Sequence, residues 1–264
     1  MIHYSPTKRD DGDGFAPAGL DVYFLGCVDF AAAEFLQQTF VDELEFRRDG
    51  HGKLLICEHP PIISIGREGG HENLSYADAW LTENHEDQIV RPPLDVRWVK
   101  RGGGAIVHAP GQLAIYPVVP YAQLGWNAVE YRNKLQQAVT RACEEVRIGI
   151  ERREGRNGIF TRHGQIGFVG ITCRNGIANH GVYLNVAAPL ELLQQARWST
   201  ADATVRPDER VDPANMVQSQ RVTLPSIRER LMHHIQRELG FERSHLYTSH
   251  PLLRRVCRTT YEYA

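Results

Sequence analysis

The sequence predicts an α+β domain with a mixed central β-sheet flanked by helices, followed by a small C-terminal subdomain. Two observations carry this. Amphipathic helical periods interleave with short apolar runs, and most of those runs are joined by turn residues at hairpin spacing. A polar, two-proline stretch at 197–213 then separates the last helical period from the rest.

Taken in order, residues 1–20 carry Gly, Pro and Asp and read as a flexible tail. Asp21–Gly26 reads as a strand. Asp29 caps a helix in which Phe30, Ala33, Leu36, Phe40 and Leu44 recur at three and four residues, a stripe for a core. Lys53–Glu58 and Ile62–Ile65 read as strands, broken by His59-Pro60-Pro61, and 67–92 as loop. Val96–Lys100 and Leu113–Val119 read as strands around a glycine-rich turn. Asn127 with Glu130 forms a capping box for a helix with Leu135, Val139, Ala142 and Val146 on one face. Gly158–Thr161, Gln165–Arg174 and Gly181–Val186 read as hairpin strands. Pro225 sits near the start of a last helix, which Gly240 ends. The expected division is a main domain over 21–196, a loop over 197–213, a C-terminal helical subdomain over 214–245 and an extension over 246–264.

The formal net charge of −2 gives no reason to expect nucleic acid or an anionic membrane as partner. No apolar run approaches the roughly 20 residues that span a bilayer, and the first residues lack the apolar stretch of a secretory signal. A cytoplasmic monomer is expected. The five cysteines (Cys27, Cys57, Cys143, Cys173 and Cys257) are odd in number and widely spaced, which indicates neither a disulfide framework nor a zinc site. No metal and no cofactor is expected. Cys27, Cys57, Cys143 and Cys173 read as buried structural residues.

Three constellations stand out. The first is Arg101-Gly102-Gly103-Gly104-Ala105-Ile106-Val107-His108-Ala109-Pro110-Gly111-Gln112-Leu113-Ala114-Ile115-Tyr116-Pro117. Three glycines after a strand let a backbone approach a ligand with no Cβ in the way. The second is Glu58-His59-Pro60-Pro61 with Ile65-Gly66-Arg67. The third is Gly164–Ile171 (GQIGFVGI) continuing to His180-Gly181-Val182-Tyr183-Leu184-Asn185-Val186.

Together these resemble the lipoyl(octanoyl) transferase family. The first string resembles its RGGxxTxHGPGQLxxYP, Glu58–Arg67 its EHPPxxTLGRR, and His180–Val186 its HGxALNV. Leu25-Gly26, Asp29-Phe30 and Gln37 resemble its opening segment, and Arg156–Phe160 (RNGIF) the stretch before its lysine loop. The matches run collinearly from about residue 23 to 187. The resemblance implies the fold of lipoate and biotin protein ligases and a tunnel for a medium-chain acyl or lipoyl group. It implies an acyl carrier protein as donor and a lipoyl-domain protein as acceptor. The residues it assigns to acyl or substrate binding are Arg67, Arg101, Gly102, Gly103, Gly104, His108, Gln112, Gly167, Val169, Gly170, His180, Gly181 and Asn185.

In the family a cysteine carries the acyl group as a thioester and a lysine activates it, as expected where a nearby cation favours the thiolate. Neither partner matches here. Gln165 stands at the lysine position, and a glutamine neither takes up a proton nor carries charge. No lysine follows Lys134, so no shift of alignment supplies one. The cysteine position falls best on Ala214 within Pro213-Ala214-Asn215, with Pro207-Asp208 a second match, and no cysteine lies between Cys173 and Cys257. Gly104-Ala105 also brings the loop close to the SGGGAVxH of ATP-dependent lipoate ligases, which rely on a lysine absent here.

Candidate assisting groups are His108 and His180, at family positions, and His163, two residues before Gln165. Arg101 and Arg67 are candidates to hold a carboxylate or the phosphate of a carrier arm. Three functions stand: an octanoyltransferase with a rearranged mechanism, a non-catalytic protein binding lipoyl or octanoyl groups or their carrier domains, and an ATP-dependent ligase.

Overall fold

The computed structural model describes residues 19–69, 94–151, 153, 158–193 and 213–253. Most of the expected tail and of the loops at 67–92 and 197–213 lies outside the described residues, as do Arg156, Asn157 and residues 254–264. Elements are numbered in chain order over the described residues.

The strands of the main sheet are β1 (Gly19–Cys27), β2 (Gly52–Glu58), β6 (Gln112–Val118), β7 (Ile159–Thr161), β8 (Gly164–Arg174), β9 (Ile177–Asn185) and β10 (Arg243–Tyr247). They lie in the order β10-β1-β2-β6-β9-β8-β7, with β1 parallel to both neighbours and the rest antiparallel. A second sheet holds β4 (Val96–Trp98), β3 (Ile62–Ile65) and β5 (Ala105–His108) in that order. The expected mixed sheet is therefore present. β5 falls inside the stretch read as a glycine-rich turn, because only residues 101–104 make the turn.

Strand alternation divides the core into two layers. Leu54, Ile56, Ile115, Val182 and Leu184 face the helices α2 (Ala128–Glu145) and α3 (Leu224–Glu238). Leu55, Cys57, Ala114, Tyr116 and Tyr183 face α1 (Phe30–Arg47). β2 and β6 are buried at every position, as strands covered on both faces must be. The second sheet lies on the α1 side, where Ile106 joins the α1 core layer and Phe30 packs with Ile62 and Val99.

Each helix begins where its sequence provides an acceptor for its first amides. The Asp29 carboxylate accepts from Ala32 N at 2.9 Å. Asn127 and Glu130 form the expected capping box. Thr223 caps α3, with proline in its first turn.

The expected C-terminal subdomain packs into the main body. Ala214, Met216, Ile227, Leu231 and Ile235 share the core layer of α2, and Arg141 of α2 pairs with Glu238. β10, not foreseen as a strand, adds to the sheet edge beside β1. Its exposed side chains carried no alternating apolar signal. Stacking fixes it: Tyr247 lies on Tyr23 at 4.9 Å, and the His250 ring meets Tyr23 and Phe40 edge-on at 5.5 and 5.4 Å. Cys57 and Cys143 are buried as expected. Cys173 is exposed and Cys27 partly so, since both sit at strand ends.

Two glycines set the spacing of the sheet centre. A Cβ on Gly181 would stand 2.2 Å from the Ile115 carbonyl oxygen, and one on Gly170 would stand 2.6 Å from the Gly102 oxygen. Both obstacles are backbone, so relief requires moving a strand or the 101–104 turn. Gly181→Ala is expected to lower unfolding stability by roughly 1–3 kcal/mol or more, read by urea denaturation. An unchanged midpoint would contradict this packing.

Candidate functional site

A buried polar chain links the 101–104 turn to the segment after β9. The carbonyl acceptors at its members fix the amide orientations and hence every proton. Gln112 Nε2 donates to the Val107 carbonyl, so Gln112 Oε1 accepts at 2.9 Å from His108 Nδ1. His108 Nε2 is then the acceptor for the Ser64 hydroxyl at 2.7 Å. Ser64 Oγ accepts from Arg101 Nη2 at 2.8 Å. At the other end Gln112 Nε2 also donates to Asn185 Oδ1 at 2.9 Å, and Asn185 Nδ2 donates to the Ala214 carbonyl at 3.1 Å. Arg101, Ser64, His108, Gln112, Asn185 and the Ala214 carbonyl thus form one directed series.

Arg101 is fully buried. Its Nη1 donates to the Gly102 and Gly104 carbonyls at 3.0 and 2.9 Å, and Nη2 donates to the Ser64 carbonyl at 2.8 Å. The guanidinium therefore holds its own turn together from inside. The expectation that Arg101 meets an incoming phosphate is corrected on this ground. Arg67 is exposed, and its amide donates to the Arg101 carbonyl at 3.0 Å.

The turn also docks on β8, where Gly102 N donates to the Ile171 carbonyl at 3.1 Å. Ile171 pairs with His180 across β8–β9, so the turn and His180 adjoin. His180 takes a left-handed backbone conformation (φ 56°), and its amide donates to Gln37 Oε1 of α1 at 2.8 Å. Such a conformation is costly for a residue with a Cβ and marks a position fixed by its surroundings. Its ring faces Tyr116 edge-on at 6.3 Å, and Tyr116 faces Tyr183 at 5.7 Å. The Arg101 guanidinium lies over Tyr183 at 5.6 Å. In this neighbourhood three buried polar atoms lack a well-formed hydrogen bond to protein: Arg101 Nε, His180 Nδ1 and the Tyr183 hydroxyl.

His59 closes the cluster. Its Nδ1 donates to the Val28 carbonyl at 2.9 Å, and its Nε2 accepts from the Tyr116 hydroxyl at 2.7 Å. Burial lowers the pKa of His59 to about 4. Burial and the Arg101 charge lower His180 likewise to about 4. Burial, with the neighbouring His59 and Arg101, holds His108 well below its usual value. All three rings are neutral near pH 7.

At the other end of β8, Gln165 pairs in parallel with Pro213, and Ala214 N donates to the Gln165 carbonyl at 2.9 Å. The Gln165 side chain donates to the Gly167 carbonyl at 3.0 Å. Ala214 is buried.

Residues 29–238 match the profile of the lipoyl protein ligase A/B catalytic domain. The chain belongs to that family. It is 30% identical over 171 residues to an octanoyltransferase of Geotalea uraniireducens, covering 65% of this chain and 72% of the relative. It is 31% identical over 168 residues to one of Nitratidesulfovibrio vulgaris, covering 64% and 72%. Among solved structures, a bipartite lipoate protein ligase of Thermoplasma acidophilum superposes with a TM-score of 0.60 at 15% identity, covering 88% of each chain. A lipoate-protein ligase A bound with ATP superposes with a TM-score of 0.60 at 16% identity, covering 88% of this chain and 90% of the other. The fold is that of the lipoate protein ligases.

Of the residues that the family resemblance singled out, the structure brings Arg101, His108, Gln112 and Asn185 into the polar chain, and places Gly102, Gly170, His180 and Gly181 around it. Gln165, Gly167 and Ala214 gather at the far end of β8. His163 lies away from the polar chain, two residues from Gln165. It lies in the exposed β7–β8 turn, its Nε2 accepting from Arg162 Nε at 3.0 Å, eight residues along the strand from Ile171 or roughly 26 Å. Four members were not foreseen as site residues: Ser64, His59, Tyr116 and Tyr183. The only signal for Ser64 was a hydroxyl at an inward position of an apolar strand.

Ser64→Ala removes the acceptor for Arg101 and the donor for His108 without opening a large cavity. A loss of roughly 1–3 kcal/mol in unfolding stability is expected, since two buried groups lose a partner. A loss below about 0.5 kcal/mol would contradict the chain. The neutral histidines add a pH dependence. The unfolded chain takes up these protons near pH 6.5, whereas the native chain resists down to about pH 4. Their contribution is complete above pH 6.5 and falls by roughly 1.4 kcal/mol per pH unit per histidine toward pH 4. Denaturation midpoints measured from pH 7 to 4 check this, with the slope reduced in His59→Gln.

Proposed function

We propose that this chain binds a medium-chain acyl or lipoyl group within protein lipoylation and forms no thioester of its own. The acyl group occupies the space bounded by the 101–104 turn, β8 and β9, with Gly102, Gly103, Gly104, Gly167, Val169 and Gly170 along its path. Its partners are an acyl carrier protein and a lipoyl-domain protein, met in the cytoplasm. The names of the curated relatives support the octanoyl class of ligand.

One observation carries the absence of a covalent step. The two positions assigned to the family's lysine and cysteine adjoin, as reacting partners must, and they hold Gln165 and Ala214. Three of the thiols elsewhere are poor substitutes. Burial pushes Cys57 far up and Cys143 to about 12, and it raises the thiol of exposed Cys173 on β8. None is a thiolate near neutral pH.

A second reading is direct transfer, and the buried, unpartnered His180 Nδ1 favours it. A neutral acceptor lysine nitrogen attacks the thioester carbonyl carbon while His180, held neutral, orients the amine by accepting a hydrogen bond from it. The C–S bond then breaks, and the amine proton passes to the departing carrier thiolate.

Calorimetric titration with octanoate and lipoate tests the first reading, with saturable binding expected and no heat for either contradicting it. Incubation with octanoyl-carrier and a lipoyl domain tests the second. Intact mass would show an octanoylated acceptor if transfer occurs, and an unmodified acceptor at high concentration of this chain would reject it.

A further inference from the structure

A separate concavity lies on the α2–α3 side of the molecule, outside the acyl site. It is a surface cavity of about 170 Å³ whose lining includes Glu145, Arg147, Arg221, Ser226 and Arg230. It forms where α2 ends, where α3 begins, and where the segment after Met216–Gln218 passes between them.

Its electrostatics are one-sided. Three guanidiniums face one carboxylate in a chain whose net charge is −2. That carboxylate is already engaged, because Glu145 Oε1 lies 3.4 Å from Arg230 Nε and Oε2 lies 2.7 Å from His234 Nε2. Arg230 is further fixed by Nη1, which donates to the Ser226 carbonyl at 3.0 Å and hydroxyl at 3.3 Å. Arg147 and Arg221 have no ion-pair partner among the described residues. Two cations without an ion-pair partner among the described residues therefore share a concave wall with a fixed third, and the first turn of α3 adds the positive end of a helix dipole.

Arg147 is an exposed member of the lining. It sits just past the end of α2 at φ 62°, a conformation in which glycine or asparagine is usual. Arginine there has a steric cost of about 1 kcal/mol.

We propose that this cavity binds a phosphate group. Planar guanidiniums arranged around a small concavity match phosphate oxygens by paired hydrogen bonds, and the excess of positive over negative side chains in the lining suits a dianion. The site takes either free inorganic phosphate or a phosphate ester, and it is independent of what the acyl site holds.

The test is calorimetric titration of the full chain with inorganic phosphate, then with pantetheine 4′-phosphate and unphosphorylated pantetheine. Saturable binding of inorganic phosphate is expected, weakening as salt is raised. Arg147→Gln/Arg221→Gln is expected to weaken it at least tenfold with the thermal midpoint unchanged, since neither side chain makes an ion pair among the described residues. Tighter binding of pantetheine 4′-phosphate than of phosphate would identify an ester as the source, and equal binding the free anion. Absence of saturable phosphate binding would overturn the proposal. So would equal affinity in the double variant, or pantetheine binding as well as its phosphate with no competition from inorganic phosphate.

Discussion

The site depends on one buried guanidinium. Removing Arg101 from water costs several kcal/mol unless its donors are met. The chain meets four of them with three backbone carbonyls and one hydroxyl, with no carboxylate in contact among the described residues. That choice ties three elements together. The carbonyls of Gly102 and Gly104 close the turn, Ser64 anchors it to β3, and the Ser64 hydroxyl passes the polarity on to His108, Gln112, Asn185 and the Ala214 carbonyl. Because every member donates in the same sense, loss of one leaves its neighbours unpaired. A protonated His108 would break the order at its second nitrogen, and burial beside Arg101 prevents that protonation.

The chain ends on the backbone of Ala214, not on its side chain. The Gln165 carbonyl and Asn185 amide hold residue 214 whatever side chain it carries. Local architecture and local chemistry are thus separable here. The backbone at residue 214 is therefore held in place without help from its own side chain.

Much of this was legible in the sequence, and the reason differs by element. β2 and the face of α1 declared themselves through apolar period. The cap at Asn127 did so through a side chain that can act only locally. β10 did not, because its side chains are exposed and its place comes from pairing with a strand more than two hundred residues earlier. Motif resemblance brought out Arg101, His108, Gln112 and Asn185 as binding residues without showing that they bond to one another. Arg101 reads in sequence as a cation for a ligand, whereas its burial makes it a brace, and burial depends on packing across the 101–104 turn. Ser64, Tyr116 and Tyr183 join the site only through contacts between sheets, which no local pattern encodes.

The most direct measurement concerns residues 165 and 214. The wild-type chain and the double variant Gln165→Lys/Ala214→Cys are each incubated with octanoyl-carrier protein, and the intact mass of each is read. The account predicts an unmodified wild-type chain and one octanoyl group on the variant, carried as a hydroxylamine-labile thioester. Octanoylation of the wild-type chain itself would contradict it. So would a folded variant that binds octanoate but never becomes acylated, since residues 165 and 214 would then not be the vacated catalytic positions.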